Sequence, residues 1–328
     1  MCTDTPESGV YVCQEYALVA GIFSLDEAWI ADRVAKNICK PSRTAPHVTR
    51  RFEISLPKLA VVCAGLLPFF AAPHAAHAQG RLEAQYEASL AGIVVGKGAW
   101  TIEISEDQYV ASAYGGTSGL LKSISNSSGT GSVQGRVTNG TLVPSNYQAS
   151  TTTSKKSETI HITLANGNVK DFGIDPTPPV DAERIPITDA HKKGVLDPMT
   201  GSLLRVPGNG DPVSPEACRG STVVFDARMR YELRLDYKRM VTVKAEKGYY
   251  GPAVVCAIYF VPIAGYIPDR PVIKYLTAQR NMEITLAPVA GTRYLVPFRL
   301  VIPTPLGTAM LEATQFVTEA NSHLAKTQ

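Results

Sequence analysis

The residues that could do chemistry in this chain are few and far apart. His161 stands on the polar phase of a strand-like run with Thr159 and Thr163, where it reads as a solvated strand histidine rather than a general base. Asp197 could serve as a general acid or base, but Pro198 follows it directly. That pair is how a helix starts, with the carboxylate as cap and the proline at the first helical position. Asp226, Asp236 and Asp269 show no ligand spacing and read as turn or solvated-face residues. No Gly-rich phosphate loop, Cys-x-x-Cys, His-x-x-x-His or nucleophile elbow occurs. No catalytic, cofactor-binding or metal-binding residue is assigned, and the chain is expected not to be an enzyme.

Two groupings remain. Arg228, Arg230 and Arg234 share one phase of a strand-like run and could bind an anionic lipid or glycan, but the intervening Glu232 and nearby Asp236 argue for cross-strand ion pairs. Tyr249, Tyr250, Tyr259, Phe260 and Tyr266 make an aromatic-rich stretch that could line an apolar cavity, and ordinary core packing explains it equally well.

The elements that position these residues depend on how much of the chain folds. Arg50, Arg51 and Lys58 form a positive lead, Leu59 to Ala72 an apolar run interrupted by Pro68, and Ala76-His77-Ala78 a small-residue cleavage site. A bilayer-spanning helix needs about 20 apolar residues, so residues 50–78 read as a cleaved signal peptide rather than an anchor. Cys63 lies too early for a lipoprotein signal, and Phe52-Glu53 departs from the twin-arginine pattern. The expected route is therefore general secretion into a periplasm, with cleavage after Ala78. Residues 1–49 read as a non-structural extension or a misassigned start, with a weak helix around 24–34.

Removing residues 1–78 takes away seven basic and seven acidic side chains, so the remainder keeps the net charge of +3. So mild and unclustered a charge does not imply nucleic acid, and no nucleic-acid partner is expected. Of six cysteines, Cys2, Cys13, Cys39 and Cys63 are discarded, leaving Cys218 and Cys256. Two thiols in an oxidising compartment read as one disulfide, worth about 4 kcal/mol in the chain-entropy model. A metal pair is the competing reading; it lacks support because the remaining histidines, His161, His191 and His323, are distant in sequence.

Residues 79–328 read as one all-β, mainly antiparallel domain, its sheet curling into a barrel or half-barrel. Leu82, Ala84, Tyr86, Ala88 and Leu90 alternate with polar residues, as do Trp100, Ile102 and Ile104. The Gly- and Ser-rich stretch 115–140, in which Leu120, Leu121 and Ile124 can still contribute apolar contacts, favours wide or bulged strands over a helix. Asn166-Gly167 signals a hairpin, and the Pro-rich segment 175–187 a crossover. One short helix is expected near 197–205. Met229 to Tyr237 alternates with charged residues, Val241 and Val243 suggest a return strand, and late strands follow at 254–261, 282–286, 294–302 and 308–318.

Tyr86 with Gly92 and Gly96, Leu142 with Pro144 and Tyr147, Leu196-Asp197-Pro198-Met199-Thr200, Cys218 before Val224-Phe225-Asp226, and Gly251 with Cys256, Pro262 and Gly265 occur in that order. Together they resemble the bacterial exported proteins of domain of unknown function 3108, over about Leu82 to Thr318. Ala227 stands where the resemblance leads one to expect Gly, and Thr200 where Ser is usual. The resemblance implies an envelope protein without an assigned active site, and a curled-sheet architecture like that of lipoprotein carriers. Two functional expectations follow: a periplasmic protein holding a lipid or other apolar ligand in a concave sheet, or a non-catalytic structural or interaction protein supporting the envelope.

Overall fold

Alternation of apolar and polar residues organises the fold, because a strand with one wet face must bury the other. The computed structural model describes residues 80–320 except 120, 121, 123–125 and 155. The expected signal peptide at 50–78 with its cleavage point, the extension 1–49, the residues Leu120, Leu121 and Ile124, and His323 lie outside the described residues.

Seven strands come first: β1 Gly80–Leu90, β2 Ile93–Ile104, β3 Gln108–Thr117, β4 Ser127–Thr138, β5 Thr141–Thr153, β6 Ser157–Ala165 and β7 Asn168–Asp175. They form a meander in which each strand pairs with the next, antiparallel throughout. Asn166 and Gly167 both take positive φ, as a two-residue hairpin between right-twisted strands requires. Asn139-Gly140 makes a second such turn between β4 and β5.

After the Pro-rich segment come a four-residue helix α1 (Pro198–Gly201), β8 (Leu204–Arg205), β9 (Gly220–Phe225), β10 (Arg230–Lys244), β11 (Lys247–Gly248) and β12 (Tyr250–Ala264). Helix α2 (Pro271–Ala278) precedes β13 (Glu283–Pro288), β14 (Tyr294–Thr304) and β15 (Gly307–Ala320). The spatial order is β7-β6-β5-β4-β3-β2-β1-β15-β14-β13-β12-β10-β9, with β8 on β14 and β11 on β15. The first strand thus lies mid-sheet, paired with the last from Gly80↔Ala320 to Leu90↔Ala309.

The sheet curls but its ladder does not close. The chain at 193–196 lies between the two edge strands, with a bridge from Lys193 to Asn168 of β7 and another from Leu196 to Val224 of β9. Phe172 of β7 meets Phe225 of β9 edge to face at 5.1 Å. The half-barrel side of the expectation is the one realised.

The main core fills the concave side. Leu82, Trp100, Ile102, Tyr109, Val133, Tyr147 and Ile162 from the meander meet Met199, Phe225, Phe298 and Phe316. The glycines of β4 face this core: a Cβ on Gly131 would meet Met199 Cε at 3.1 Å, and one on Gly135 would meet Val143 O at 2.3 Å. The Gly-rich composition therefore makes room for α1. A second cluster joins Tyr231, Phe260, Met282, Leu300 and Ile302 to Ile273 and Leu276 of α2. A third places Val206, Val213 and Ala217 over Val254, Leu286 and Leu295. Strand β12 serves all three, which is why it reads as an unbroken apolar run.

Two expectations are corrected here. Val241 and Val243 belong to β10 itself, not to a return strand. The register slips between Tyr237 and Arg239, an extra residue that turns the strand. Tyr231 therefore lies in the second cluster, whereas Val243, on the same sequence phase, lies in the main core. Helix α2 is the other departure. It is too short for a periodic signal, although Pro271 with Ile273 and Leu276 marks its start and its buried side.

Candidate functional site

The curled sheet gathers its buried polar side chains around α1. Asp197 is completely buried, and its Oδ1 accepts the backbone N–H groups of Met199 at 3.0 Å and Thr200 at 2.9 Å. This is the helix cap that the Asp-Pro pair implies. The Thr200 hydroxyl lies 2.7 Å from the hydroxyl of Tyr109, which ties α1 to β3. Met199 is fully buried beside them, a placement that stabilises the plug by about 2 kcal/mol.

Asp226 repeats the motif in the turn between β9 and β10, where its Oδ1 accepts from Arg228 N at 2.8 Å and Met229 N at 2.6 Å. Ala227 sits inside that turn at φ +74°, a left-handed conformation that favours glycine. Here the geometry accounts for the expectation of Gly at this position. Gly265 packs against the same turn so closely that a Cβ there would collide with the backbone of Arg228 and Met229.

Arg228 itself precedes β10 and is buried, in an ion pair with Glu158 of β6; the two side chains are 5 % and 8 % exposed. Lys156 Nζ reaches the other Glu158 oxygen at 3.0 Å. Arg228, Arg230 and Arg234 accordingly do not form one binding face. Arg230 instead donates to the carbonyls of Ala190, His191 and Lys193, and Arg234 pairs with Glu232 at 3.2 Å on the exposed surface. The cross-strand alternative holds further along β10, where Lys238 and Arg239 both reach Glu283 of β13.

Burial pushes the Asp197 carboxyl above the ordinary carboxylate range, and the Thr200 hydroxyl and the backbone donors of Thr200 and Met199 do not overcome it. The phenols of Tyr109, Tyr147 and Tyr231 are raised, first by burial and then by the nearby carboxylates. Glu158 goes the other way: burial would raise it, but hydrogen bonds and charge from Arg228 and Lys156 prevail and lower it. Burial thus dominates at Asp197 and the three tyrosines, and ion pairing at Glu158. What the arrangement does chemically is fix the plug and the seam.

The remaining candidates lie elsewhere. His161 Nε2 is 3.3 Å from Asp171 Oδ2, both side chains largely exposed on the outer wall. Asp269 pairs with Lys274 at the start of α2, and Asp236 is exposed. In the aromatic stretch, Phe260 packs on Tyr231 at 5.5 Å and Tyr249 on Phe316 at 5.7 Å, while Tyr250 is exposed. Core packing is the reading that holds for Phe260 and Tyr249. Among the described residues no group of three or more His, Cys, Asp or Glu could hold a metal ion, and no helix is long and apolar enough to cross a membrane. Cys218 and Cys256 form a disulfide with Cα atoms 5.5 Å apart, joining the segment before β9 to β12.

A family model described as protein of unknown function (DUF3108) matches residues 85–314. The chain belongs to this family. The DUF3108 match runs from β1 to β15, so α1, the disulfide and the whole polar cluster lie inside it. The resemblance seen in the motif order is borne out. Among solved structures, a β-barrel-like protein of domain of unknown function DUF1849 from Brucella abortus is similar at 10% identity, over 75% of this chain and 99% of that one, with a TM-score of 0.40. A search of curated proteins gives no match.

Proposed function

We propose that this DUF3108 protein is an exported, non-catalytic envelope protein that acts by binding through its outer surface. The observation that carries this reading is the filled interior. A chamber wide enough for an acyl chain would leave its wall partly wet, yet Trp100, Tyr109, Phe225, Phe298, Phe316 and Met199 are all less than 2 % exposed. The plug α1 occupies the space that a ligand inside the curl would need. This favours an interaction protein over a carrier of lipid or another apolar ligand. The disulfide supports an oxidising compartment such as the periplasm.

Fractionation of cells expressing the chain, with N-terminal sequencing of the product, tests export: a periplasmic form beginning at Gln79 is expected, and a purely cytoplasmic, unprocessed form would overturn it. Mass spectrometry of natively purified protein tests the mode of action. A bare protein mass is expected, whereas a stoichiometric lipid adduct would restore the carrier reading in its place.

A further inference from the structure

The outer wall of the meander differs from the rest of the surface in its chemistry. Strands β3, β4, β5 and β6 present one Lys, Arg, Asp or Glu side chain outward, Arg136 near one end, because Glu158 is buried against Arg228; His161 of β6 also faces outward, in register with Gln148 and beside Asp171 of β7. Strand β10, by contrast, carries Arg230, Glu232, Arg234, Asp236, Lys238, Arg239 and Lys244 in fifteen residues.

In place of charge the wall presents hydroxyls and amides in rows. The pairing sets Tyr114 beside Thr130 and Thr130 beside Ser150; the next row sets Ser112 beside Ser132 and Ser132 beside Gln148. Neighbouring strands lie about 4.8 Å apart, so these rows form a lattice of groups that both donate and accept hydrogen bonds. Thr130 and Ser150 are already in contact, Oγ1 to Oγ at 2.8 Å. Tyr114 stands out of this lattice with 66 % of its surface exposed. Two residues on, on the same face of β3, Gly116 has no side chain and leaves the ground beside the ring low. An exposed aromatic ring on a hydroxyl-rich sheet of low charge, with Val110 half exposed on the same face of β3, offers an apolar platform among polar partners.

From this geometry we propose that the β3–β6 wall binds an uncharged polysaccharide chain bearing hydroxyl and acetamido groups, with Tyr114 stacking on a sugar ring and Thr130, Ser132 and Gln148 hydrogen-bonding along the chain. Charge complementarity selects this occupant. An anionic lipid or nucleic acid needs a cluster of cationic groups where the wall has Arg136 near one end, and a charged protein face would lose its water with few partners to gain. A sugar exchanges hydrogen bonds with water for hydrogen bonds with the lattice, while its C–H face covers the ring. The proposal rests on the reading of the protein as one that binds through its outer surface, and under export the glycan of the cell wall would be within reach.

The test is titration of purified protein with the hexasaccharide of β-1,4-linked N-acetylglucosamine, followed by calorimetry and by amide chemical shifts. Binding is expected, with shifts confined to β3–β6 and little change between about 0.05 M and about 0.5 M salt. Tyr114→Ala is expected to weaken it by at least about tenfold, while Tyr250→Ala, which removes another exposed aromatic, leaves it unchanged. Both residues are exposed, and an unchanged melting temperature confirms that each variant folds. No binding by the wild type, equal binding by both variants, or binding abolished by salt would each overturn the proposal. None of these outcomes bears on fractionation or on the ligand-free mass, so the broader reading stands or falls separately.

Discussion

Replacing Arg228 with Met tests how the seam of the curled sheet is held. The substitution keeps the length and apolar stem of the side chain but leaves the Glu158 carboxylate, 8 % exposed, with Lys156 as its remaining charged partner. Breaking a buried pair by removing one partner costs about 3–5 kcal/mol. Because Lys156 remains, the lower end applies, about 3 kcal/mol, or about 6–12 °C in melting temperature for a domain of this size. The pH dependence carries a sign. In the wild type the Glu158 carboxyl is held below its ordinary range, so its contribution is fully present above the unfolded-state value of about 4.3 and fades as pH falls through the folded value. In Arg228→Met burial acts against a weaker opposing charge, the carboxyl moves upward, and acidification relieves part of the loss. Urea unfolding at about pH 7 and about pH 4 should therefore show the gap between variant and wild type narrowing at the lower pH. The double variant Glu158→Leu/Arg228→Met should recover part of the loss, since it leaves no buried carboxylate behind. A gap that stays constant with pH, together with a double variant no better than the single, would refute the reasoning.

The disulfide closes a loop of 38 residues in sequence. Cys218→Ala/Cys256→Ala should lose about 4 kcal/mol in urea unfolding, and a reductant should shift the wild type toward the double variant while leaving the variant unmoved. Ala227→Gly removes a left-handed alanine; it should raise stability by about 1 kcal/mol, measured as an upward shift of the denaturation midpoint, with no change in fold. The Glu283 carboxyl is pulled down to about 2, chiefly by its hydrogen bond from Arg239 and also by Lys238. Its NMR titration should show that midpoint, and Arg239→Ala should raise it. Since the folded value is depressed, the Glu283 contribution is present above the unfolded carboxylate range and lost as pH falls toward 2.

Much of this fold is legible in the chain. β1 and β2 alternate cleanly because their outer face meets water, Asn166-Gly167 supplies two residues that accept positive φ, and Asp197-Pro198 specifies a capped helix. The illegible parts are those where two faces are buried or the period breaks. β12 is apolar throughout because it touches three clusters, so its sequence does not say which residue faces which. The slip at Tyr237 exchanges the faces of β10 without changing its residue pattern. The buried pair was hidden for a related reason. Glu158 sits on the inward phase with Ile160 and Ile162, and its partner lies 70 positions away in a turn that local pattern does not connect to it. The outward rows of β3–β6 were readable as polar phases, but their registration into a continuous neutral wall depends on pairing that only the folded sheet supplies.

The position of β1 between β2 and β15 has a consequence for the order of events as the chain is made. The N-terminal meander can begin to pair locally, but its innermost strand waits for residues 307–320, the last strand described, before its second edge is satisfied. Such distant contacts are slow to form, because loop closure must precede any gain from pairing. A nascent chain stopped short of β15 would expose that edge at mid-sheet, so loss of even the terminal strand should leave the whole polypeptide open to aggregation or proteolysis rather than merely trimmed.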